Sequence, residues 1–223
     1  MSVENLGHEY EFEPQYGLPE RLPANEYILW QGSPDAAALA VSAFHLRKLV
    51  LYFGLLVLAC AWQALVSGAG VLAVLQSVKW IGPLAVVALA SVWTLAWMTA
   101  RTTVYTLTNK RMVLRLGIVL TVAFNLPLRR IAAADIRALD EGFGDITLAL
   151  QGEDRIAWVH LWPSVRPWRI QKPEPTLRAI ADVHTVADQL RSAWSQATGL
   201  EATPSSQASV GRSKVPTLQV SPA

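Results

Sequence analysis

Two uncharged stretches decide the fold class of this chain. Residues 49–67 read LVLYFGLLVLACAWQALVS and residues 80–100 read WIGPLAVVALASVWTLAWMTA, and neither contains Asp, Glu, Lys or Arg. A helix needs about 20 predominantly apolar residues to cross the hydrocarbon core of a bilayer, and each stretch is about that long. The sequence therefore predicts a two-helix transmembrane hairpin, with residues 68–79 as an interfacial loop too short to cross again.

The charge distribution supports this interpretation. Only 16% of the 223 residues are charged, whereas a soluble domain carries about 25%, and Lys79 is the single charge between residues 49 and 100. A buried helical hairpin in a soluble protein is the alternative, and two such runs in a chain of 24.4 kDa disfavour it. A signal peptide is excluded because an acidic leader precedes the first apolar run.

Basic residues at the ends of the apolar stretches predict the orientation. Arg47 and Lys48 precede the first stretch, and Arg101, Lys110 and Arg111 follow the second. Since cytoplasmic flanks carry the excess of Lys and Arg, both termini are expected in the cytoplasm. The predicted organisation is an acidic cytoplasmic leader (1–43), the hairpin (44–100), a cytoplasmic domain (101–197) and a disordered Ser/Pro/Thr-rich tail (198–223).

The cytoplasmic domain has the pattern of short strands separated by turns. Strands are predicted at 102–108, 111–116, 118–126, 131–139, 145–150 and 155–161, with a further short strand inside residues 26–34. Turns at this spacing indicate a small antiparallel sandwich or barrel. A helix is predicted from Thr176 to Gly199, with an apolar stripe that either packs on the sheet or docks a partner: Leu177, Ile180, Val183, Ala187, Leu190 and Trp194.

Three sets of residues are candidates for contacts. Aromatic and apolar residues of the leader predict partner binding, with a merely solvated leader as the alternative: Tyr10, Phe12, Tyr16 and Leu18. Small or polar residues of the spans predict helix packing: Gln63, Gly82 and Ser91. Basic residues near the bilayer predict contact with anionic headgroups rather than with nucleic acid: Arg47, Lys48, Arg101, Lys110, Arg111, Arg115, Arg129 and Arg130.

The sequence offers no constellation for catalysis. The four histidines stand far apart, Cys60 is the single cysteine, and neither a metal-ligand spacing nor a phosphate-binding loop occurs. We therefore expect no catalytic residues, no metal and no cofactor, and we disfavour a membrane enzyme.

Several short motifs resemble the bacterial pleckstrin-homology (PH-like) domain of membrane-anchored proteins. They are YTLTNKR at 105–111, LRLG at 114–117, PLRRI at 127–131 and GDI at 144–146, with EYILWQG at 26–32 ahead of the helices. The resemblance implies a strongly bent, seven-stranded sheet capped by one C-terminal helix. The expected fold class is thus membrane α+β: a transmembrane hairpin plus a PH-like bent sandwich or barrel.

The leader narrows the resemblance. The stretches YEFEPQYGLPERLP at 10–23, ILWQGSP at 28–34 and FHLRK at 44–48 resemble the photosynthetic-complex assembly proteins of purple bacteria, over residues 9–197. This implies a non-enzymatic factor that helps assemble the reaction centre and the light-harvesting 1 antenna in the intracytoplasmic photosynthetic membrane. The implied partners are reaction-centre and light-harvesting 1 subunits and membrane lipid, and a homodimer is compatible with it. The alternative is a general membrane-anchored lipid- or peptide-binding module not tied to photosynthesis.

Overall fold

The computed structural model describes residues 16–68, 70–118, 121–139, 142–152, 158–167 and 169–199. Within these ranges the chain forms two antiparallel sheets and five α-helices, plus a 3-10 turn at Leu128–Arg130. The strands are β1 Ile28–Gly32, β2 Val104–Thr108, β3 Arg111–Leu116, β4 Val122–Pro127, β5 Ile131–Ala138, β6 Gly144–Leu150 and β7 Thr176–Ile180. The helices are α1 Ala36–Ser42, α2 Leu46–Val66, α3 Gly70–Thr102, α4 Trp158–Leu161 and α5 Val183–Thr198.

The two apolar stretches form the long helices α2 and α3, which pack on each other. The predicted loop at 68–79 is wrong, because α3 is already helical from Gly70. Polar residues such as Gln76 and Lys79 lower the hydropathy of this segment, but both are good helix formers. Pro83 consequently lies well inside α3 rather than in its first turns.

The strands form sheets in the orders β1-β2-β3-β4 and β5-β6-β7. The hairpin β2–β3 turns at Asn109-Lys110, so that Val104 pairs with Arg115 and Leu107 with Met112. β1 confirms the short strand expected inside residues 26–34 and pairs antiparallel with β2. The predicted boundary at residue 43 therefore divides a single sheet, since residues 28–32 of the leader are its outer strand.

Near the C-terminus the predicted helix is confirmed only from Val183 onward, and the strand predicted at 155–161 is wrong where the structure describes it. Thr176–Ile180 is not the first part of the helix but strand β7, which pairs with β6, and α5 begins at Val183. Residues 158–161 form the short helix α4 instead of a strand, while 155–157 lie outside the described residues. All five residues of β7 are buried, and Leu177 and Ile180, three residues apart, fit the spacing of a helical stripe as well as that of a strand.

The core lies between the two sheets and α5. Tyr105, Leu114, Ile146 and Leu177 are buried within it, and α5 contributes one apolar face: Val183, Val186, Ala187, Leu190 and Ala193. The indole N–H of Trp194 donates to the carbonyl oxygen of Ile131 at 3.0 Å. The apolar stripe of this helix therefore packs on the sheets, and α5 ends at Gly199, whose φ of +69° suits a glycine C-cap.

Candidate functional site: the junction of the helices and the sheets

The long helix α3 runs into the first sheet almost without a linker. Only Thr103 separates α3 from β2, and its backbone N–H donates to the carbonyl oxygen of Thr99 at 3.0 Å. Thr103 is buried. The last turn of α3 therefore fixes where the sheets begin, and the two parts of the molecule are joined stiffly.

Helix α1 adds a second connection at the same place. Leu39 of α1, Ala100 of α3 and Ala179 of β7 form one buried cluster. The carboxylate of Asp35 caps α1 by accepting the N–H of Ala38 at 2.8 Å, and the backbone N–H of Asp35 donates to the carbonyl oxygen of Ala179 at 2.9 Å. The segment that leads into α2 is thereby tied to β7.

A buried ion pair lies behind this cluster. Arg178 Nη1 donates to Asp145 Oδ2 at 3.1 Å, and Arg178 Nη2 donates to the carbonyl oxygen of Val165 at 2.7 Å. The second carboxylate oxygen, Asp145 Oδ1, accepts the backbone N–H of Ala179 at 2.9 Å. The side chains of Arg178 and Asp145 are only 7% and 3% exposed. Because both charges are desolvated, each depends on the other to stay in the interior.

Tyr105 completes the buried polar network. Its hydroxyl accepts the backbone N–H of Arg178 at 3.2 Å and shares a hydrogen bond of 2.8 Å with Ser164 Oγ. Burial raises the pKa of Tyr105 to about 12, so the phenol stays neutral well into the alkaline range. This hydroxyl acts as a hydrogen-bonding centre that joins β2, β7 and the segment after α4.

Part of the leader is attached to the sheet β1-β2-β3-β4. The carboxylate oxygen Glu26 Oε1 accepts from Thr108 Oγ1 at 2.9 Å and from Arg111 Nε at 2.8 Å. Gln31 Nε2 donates to the carbonyl oxygen of Tyr16 and to Thr106 Oγ1, each at 2.9 Å. Residues 16–32 are therefore built onto the sheet.

The four leader residues predicted to bind a partner differ in their exposure, where the structure describes them. Tyr10 and Phe12 lie outside the described residues. Tyr16 is about half exposed, whereas Leu18 is 1% exposed. The side chain of Leu18 therefore packs inside the protein, and the prediction that it offers itself to a partner does not fit this structure.

Five of the eight predicted membrane-surface residues lie at or next to the two opposite ends of the first sheet. Arg115 pairs in register with Val104, next to the end of α3. Arg111 pairs with Pro127, and Lys110, Arg129 and Arg130 neighbour those two positions in sequence, at the other end. Four steps along β2 separate the two ends, which is about 13 Å. Arg129 Nε donates to the carbonyl oxygen of Ala197, which ties Arg129 to the last turn of α5 rather than to the end of α3.

The remaining members, Arg47, Lys48 and Arg101, stand at different levels along the helices. α2 has 21 residues and α3 has 33, and residues 67–69 join them. At 1.5 Å per residue α3 extends roughly 18 Å beyond the first residue of α2. This additional length packs on α1, and Arg101 at its end lies over the ring of Trp97 at 4.7 Å.

The residues predicted for helix packing are likewise divided. Gly82 is half-buried, with Val78 of its own helix at 3.9 Å as the one neighbour of a Cβ placed there. Gln63 and Ser91 are exposed, and Ser91 Oγ donates to the carbonyl oxygen of Val87 within α3 at 2.8 Å. Neither Gln63 nor Ser91 lies between α2 and α3, so their side chains face whatever surrounds the pair. Two small residues of these helices are buried, Ala64 of α2 and Ala85 of α3.

A shallow cavity of about 270 Å³ lies between β4 and the end of β6. Apolar residues of these strands line it together with Asn125, Arg130 and Gln151. Among the described residues no group of three or more His, Cys, Asp or Glu side chains could hold a metal ion. The residues that line the cavity do not bring together an acid, a base or a nucleophile.

Sequence reasoning missed the network of Asp145, Arg178, Tyr105 and Ser164. One signal was available, because Arg178 interrupts the apolar run Leu177–Ile180 and Asp145 opens the apolar run of β6. Charged residues are almost never fully buried unless they are paired, so opposite charges in two core strands indicate a partner pair.

Comparison with known proteins gives one matching family, one similar relative and one similar solved structure. A model of the bacterial PH domain family matches residues 38–194. The chain is 35% identical over 185 residues to an uncharacterised 23.7 kDa protein of Rhodobacter capsulatus, named for its position in the region 5′ of puhA, with 81% of this chain and 85% of that protein covered. A protein with a pleckstrin-homology domain from Shewanella loihica matches 40% of this chain and 67% of its own, at 15% identity and a TM-score of 0.27.

Proposed function

Because the chain belongs to the bacterial PH domain family, we propose that it is a non-enzymatic inner-membrane assembly factor whose PH-like domain works beside a membrane hairpin. The complex that it helps to assemble is the photosynthetic reaction centre with its light-harvesting 1 antenna. One observation carries the choice of complex: the relative that is 35% identical over most of both chains is encoded near photosynthesis genes in a purple bacterium.

Membrane insertion is supported by the exposed surfaces of α2 and α3. Both helices are long and apolar enough to cross a bilayer, and only 6% and 11% of their most apolar windows are buried within the protein. Large apolar side chains point outward along both, with Trp62 69% and Trp80 75% exposed. A soluble protein rarely exposes an apolar patch of this size. The alternative of a core hairpin in a soluble protein would require these helices to be covered.

The proposed action uses the outer faces of the hairpin and the leader. Helices of unassembled subunits contact the exposed faces of α2 and α3, where Gln63 offers a hydrogen-bonding group. The leader contacts cytoplasmic surfaces of the same subunits, and the sheets hold the leader in place through Glu26. Membrane lipid occupies the remaining surface of the hairpin, and a homodimer is compatible with the scheme.

Membrane topology is tested by cysteine labelling. In a Cys60→Ala background, Ser67→Cys reports the link between α2 and α3, and Ser192→Cys reports the exposed side of α5. An impermeant maleimide added to intact spheroplasts should label position 67 and not 192, and inverted vesicles should give the reverse. Labelling of both positions from the same side would contradict the hairpin.

The role in assembly is tested by affinity capture from photosynthetic membranes. The tagged full chain should retain reaction-centre and light-harvesting 1 subunits, and deletion of its gene should lower the yield of the assembled complex without slowing non-photosynthetic growth. A defect in both modes of growth, with no photosynthetic subunits captured, would favour the general membrane-anchored lipid- or peptide-binding module instead.

A further inference from the structure

We propose that Trp162 inserts into the bilayer interface and seats the PH-like domain on the membrane, as a third contact beside the two helices. Its partner is the headgroup and upper acyl region of the lipid. The inference rests on the proposed function in one respect, which is that α2 and α3 span a membrane. It adds that the PH-like domain itself contacts the lipid, in addition to its covalent connection to α3.

The position of Trp162 is set by its contact with Phe44. The two rings meet edge to face, with their centroids 5.5 Å apart and their planes at 80°. Phe44 comes two residues before α2, which begins at Leu46. Trp162, which directly follows α4, therefore stands beside the first turn of α2.

The basic residues at the ends of the helices offer two levels for the membrane boundary. If Arg47 and Lys48 mark the headgroup level, Trp162 lies at that level, because Phe44 is three residues from Arg47. If Arg101 marks it, the level is up to 18 Å further along α3 in the direction of the sheets. Trp162 is then deeper in the bilayer than the headgroups. Only the first choice places Trp162 at the interface, and it also keeps the charges of Arg47 and Lys48 out of the hydrocarbon, so the proposal takes that level.

The side chain has the chemistry of an interfacial anchor. Trp162 is 48% exposed, so half of a large apolar ring is presented to the surroundings. Trp combines an apolar body with one N–H donor and is enriched at the level of the headgroups for that reason.

The buried network holds the anchor in place. Ser164, two residues after Trp162, bonds to the Tyr105 hydroxyl at 2.8 Å, and its carbonyl oxygen accepts the N–H of Thr176 at 2.9 Å. Val165 is held by Arg178. Because this segment is fixed before it meets lipid, insertion requires no ordering of a flexible loop and sets the orientation of the sheets relative to the bilayer.

The test uses the full chain in vesicles of phosphatidylethanolamine and phosphatidylglycerol. In the Cys60→Ala background, single cysteines at Trp162→Cys, Leu58→Cys and Ser192→Cys are labelled with a polarity-sensitive dye. Leu58 is exposed midway along α2 and serves as the control for the span; Ser192 on α5 is the control for water. Iodide and a lipid spin-labelled near its headgroup are the two quenchers.

The expected result is that the dye at 162 is quenched by the spin-labelled lipid and several-fold less by iodide than the dye at 192. Strong iodide quenching at 162, with the dye at 58 protected, would overturn this inference and leave the membrane hairpin intact. Iodide quenching at 58 would overturn the hairpin itself. Protection of 162 from both quenchers would show a protein surface over it, such as a second copy, and would also overturn the lipid contact.

A second measurement avoids the loss of the native side chain. Trp162→Phe keeps the aromatic contact with Phe44, and the difference in emission between the wild type and this variant isolates Trp162 from the other tryptophans. With brominated acyl chains in the vesicles, the difference spectrum should be quenched relative to unbrominated vesicles. An unquenched difference spectrum in a normally folded variant would overturn the proposal.

Discussion

The ion pair between Asp145 and Arg178 should be the most sensitive single contact in the sheets. Asp145→Ala leaves the Arg178 guanidinium in the interior without its counter-ion, which costs about 3–5 kcal/mol in comparable buried pairs. Thermal unfolding of the full chain in detergent, followed by near-ultraviolet circular dichroism, measures the loss.

A matched control is available on α5. Asp188 and Arg191 form an exposed pair at 3.6 Å, and Asp188→Ala should change the free energy of unfolding by at most about 1 kcal/mol. If the two variants unfold at the same temperature, the buried pair does not stabilise the junction in the way that its burial indicates.

Tyr105 should make the free energy of unfolding depend on pH in the alkaline range. Its pKa is raised from 10.0 to about 12 in the folded protein by burial, so between these values the unfolded chain loses a proton that the folded chain retains. The unfolded state then binds fewer protons, and the free energy of unfolding falls as pH rises. The contribution is fully present below pH 10.0 and is lost by about pH 12, a change of about 3 kcal/mol.

The variant Tyr105→Phe isolates this effect. Losing the hydroxyl leaves Ser164 Oγ and the N–H of Arg178 without this partner and should cost about 1–3 kcal/mol at neutral pH. The difference in stability between wild type and variant should then shrink above pH 10.0. Denaturant unfolding at a series of pH values between 9 and 12 measures it, and a constant difference would contradict the raised pKa.

At the scale of elements, the start of β6 and the start of α5 should be coupled. A Cβ added to Gly144 would lie 2.6 Å from Val183 Cγ1 and 2.7 Å from Val183 Cβ, which is too close. Gly144→Ala should therefore destabilise the protein by about 1–3 kcal/mol. Because Val183 supplies the clashing atoms, adding Val183→Ala should recover part of that loss.

The check is a double-mutant cycle on the free energy of unfolding. The two single changes should sum to more than the cost of the double variant, since residues in contact are not additive. Gly54→Ala is the control, because no atom lies within 4 Å of a Cβ at Gly54. If the effects of Gly144→Ala and Val183→Ala on the free energy of unfolding simply add, positions 144 and 183 are not in contact in the folded protein.

Most elements could be predicted from sequence because their patterns were local. The charge-free runs indicated α2 and α3, the β-branched and aromatic residues after residue 101 indicated β2, and the alternation at 111–116 indicated β3. The strand β7 could not be predicted, because its apolar residues Leu177 and Ile180 continue the helical spacing of α5 through Val183 and Val186. Only the pairing of β7 with β6 settles its structure, and that contact spans about thirty residues of sequence.

The candidate site was harder to predict than the fold. Basic residues near a predicted span were expected to share one membrane surface, but the register of β2 with β3 sends Lys110 and Arg111 to the far end of the sheet. The greater length of α3 separates Arg101 from Arg47. Both outcomes depend on how elements are joined in space, which charge patterns alone do not contain.

At the scale of the whole molecule, the leader combines two roles that a truncation series should separate. Leu18 is buried, and Gly17 lies against Val104, with Val104 Cγ1 2.7 Å from a Cβ placed at Gly17. Residues 16–32 thus belong to the folded domain. Tyr10 and Phe12 precede this part and carry the proposed recognition of reaction-centre and light-harvesting 1 subunits.

Removing residues 2–15 should therefore lower the yield of assembled photosynthetic complex while leaving the unfolding temperature of the protein close to that of the wild type. Removing residues 2–25 should lower both, because a buried leucine side chain contributes about 2–3 kcal/mol to folding. Absorbance of the assembled complex in membranes and thermal unfolding of the purified chain are measured on the same two variants. Normal complex yield after the shorter truncation would mean that partner recognition resides in the hairpin, since the fold that presents the hairpin would be unchanged.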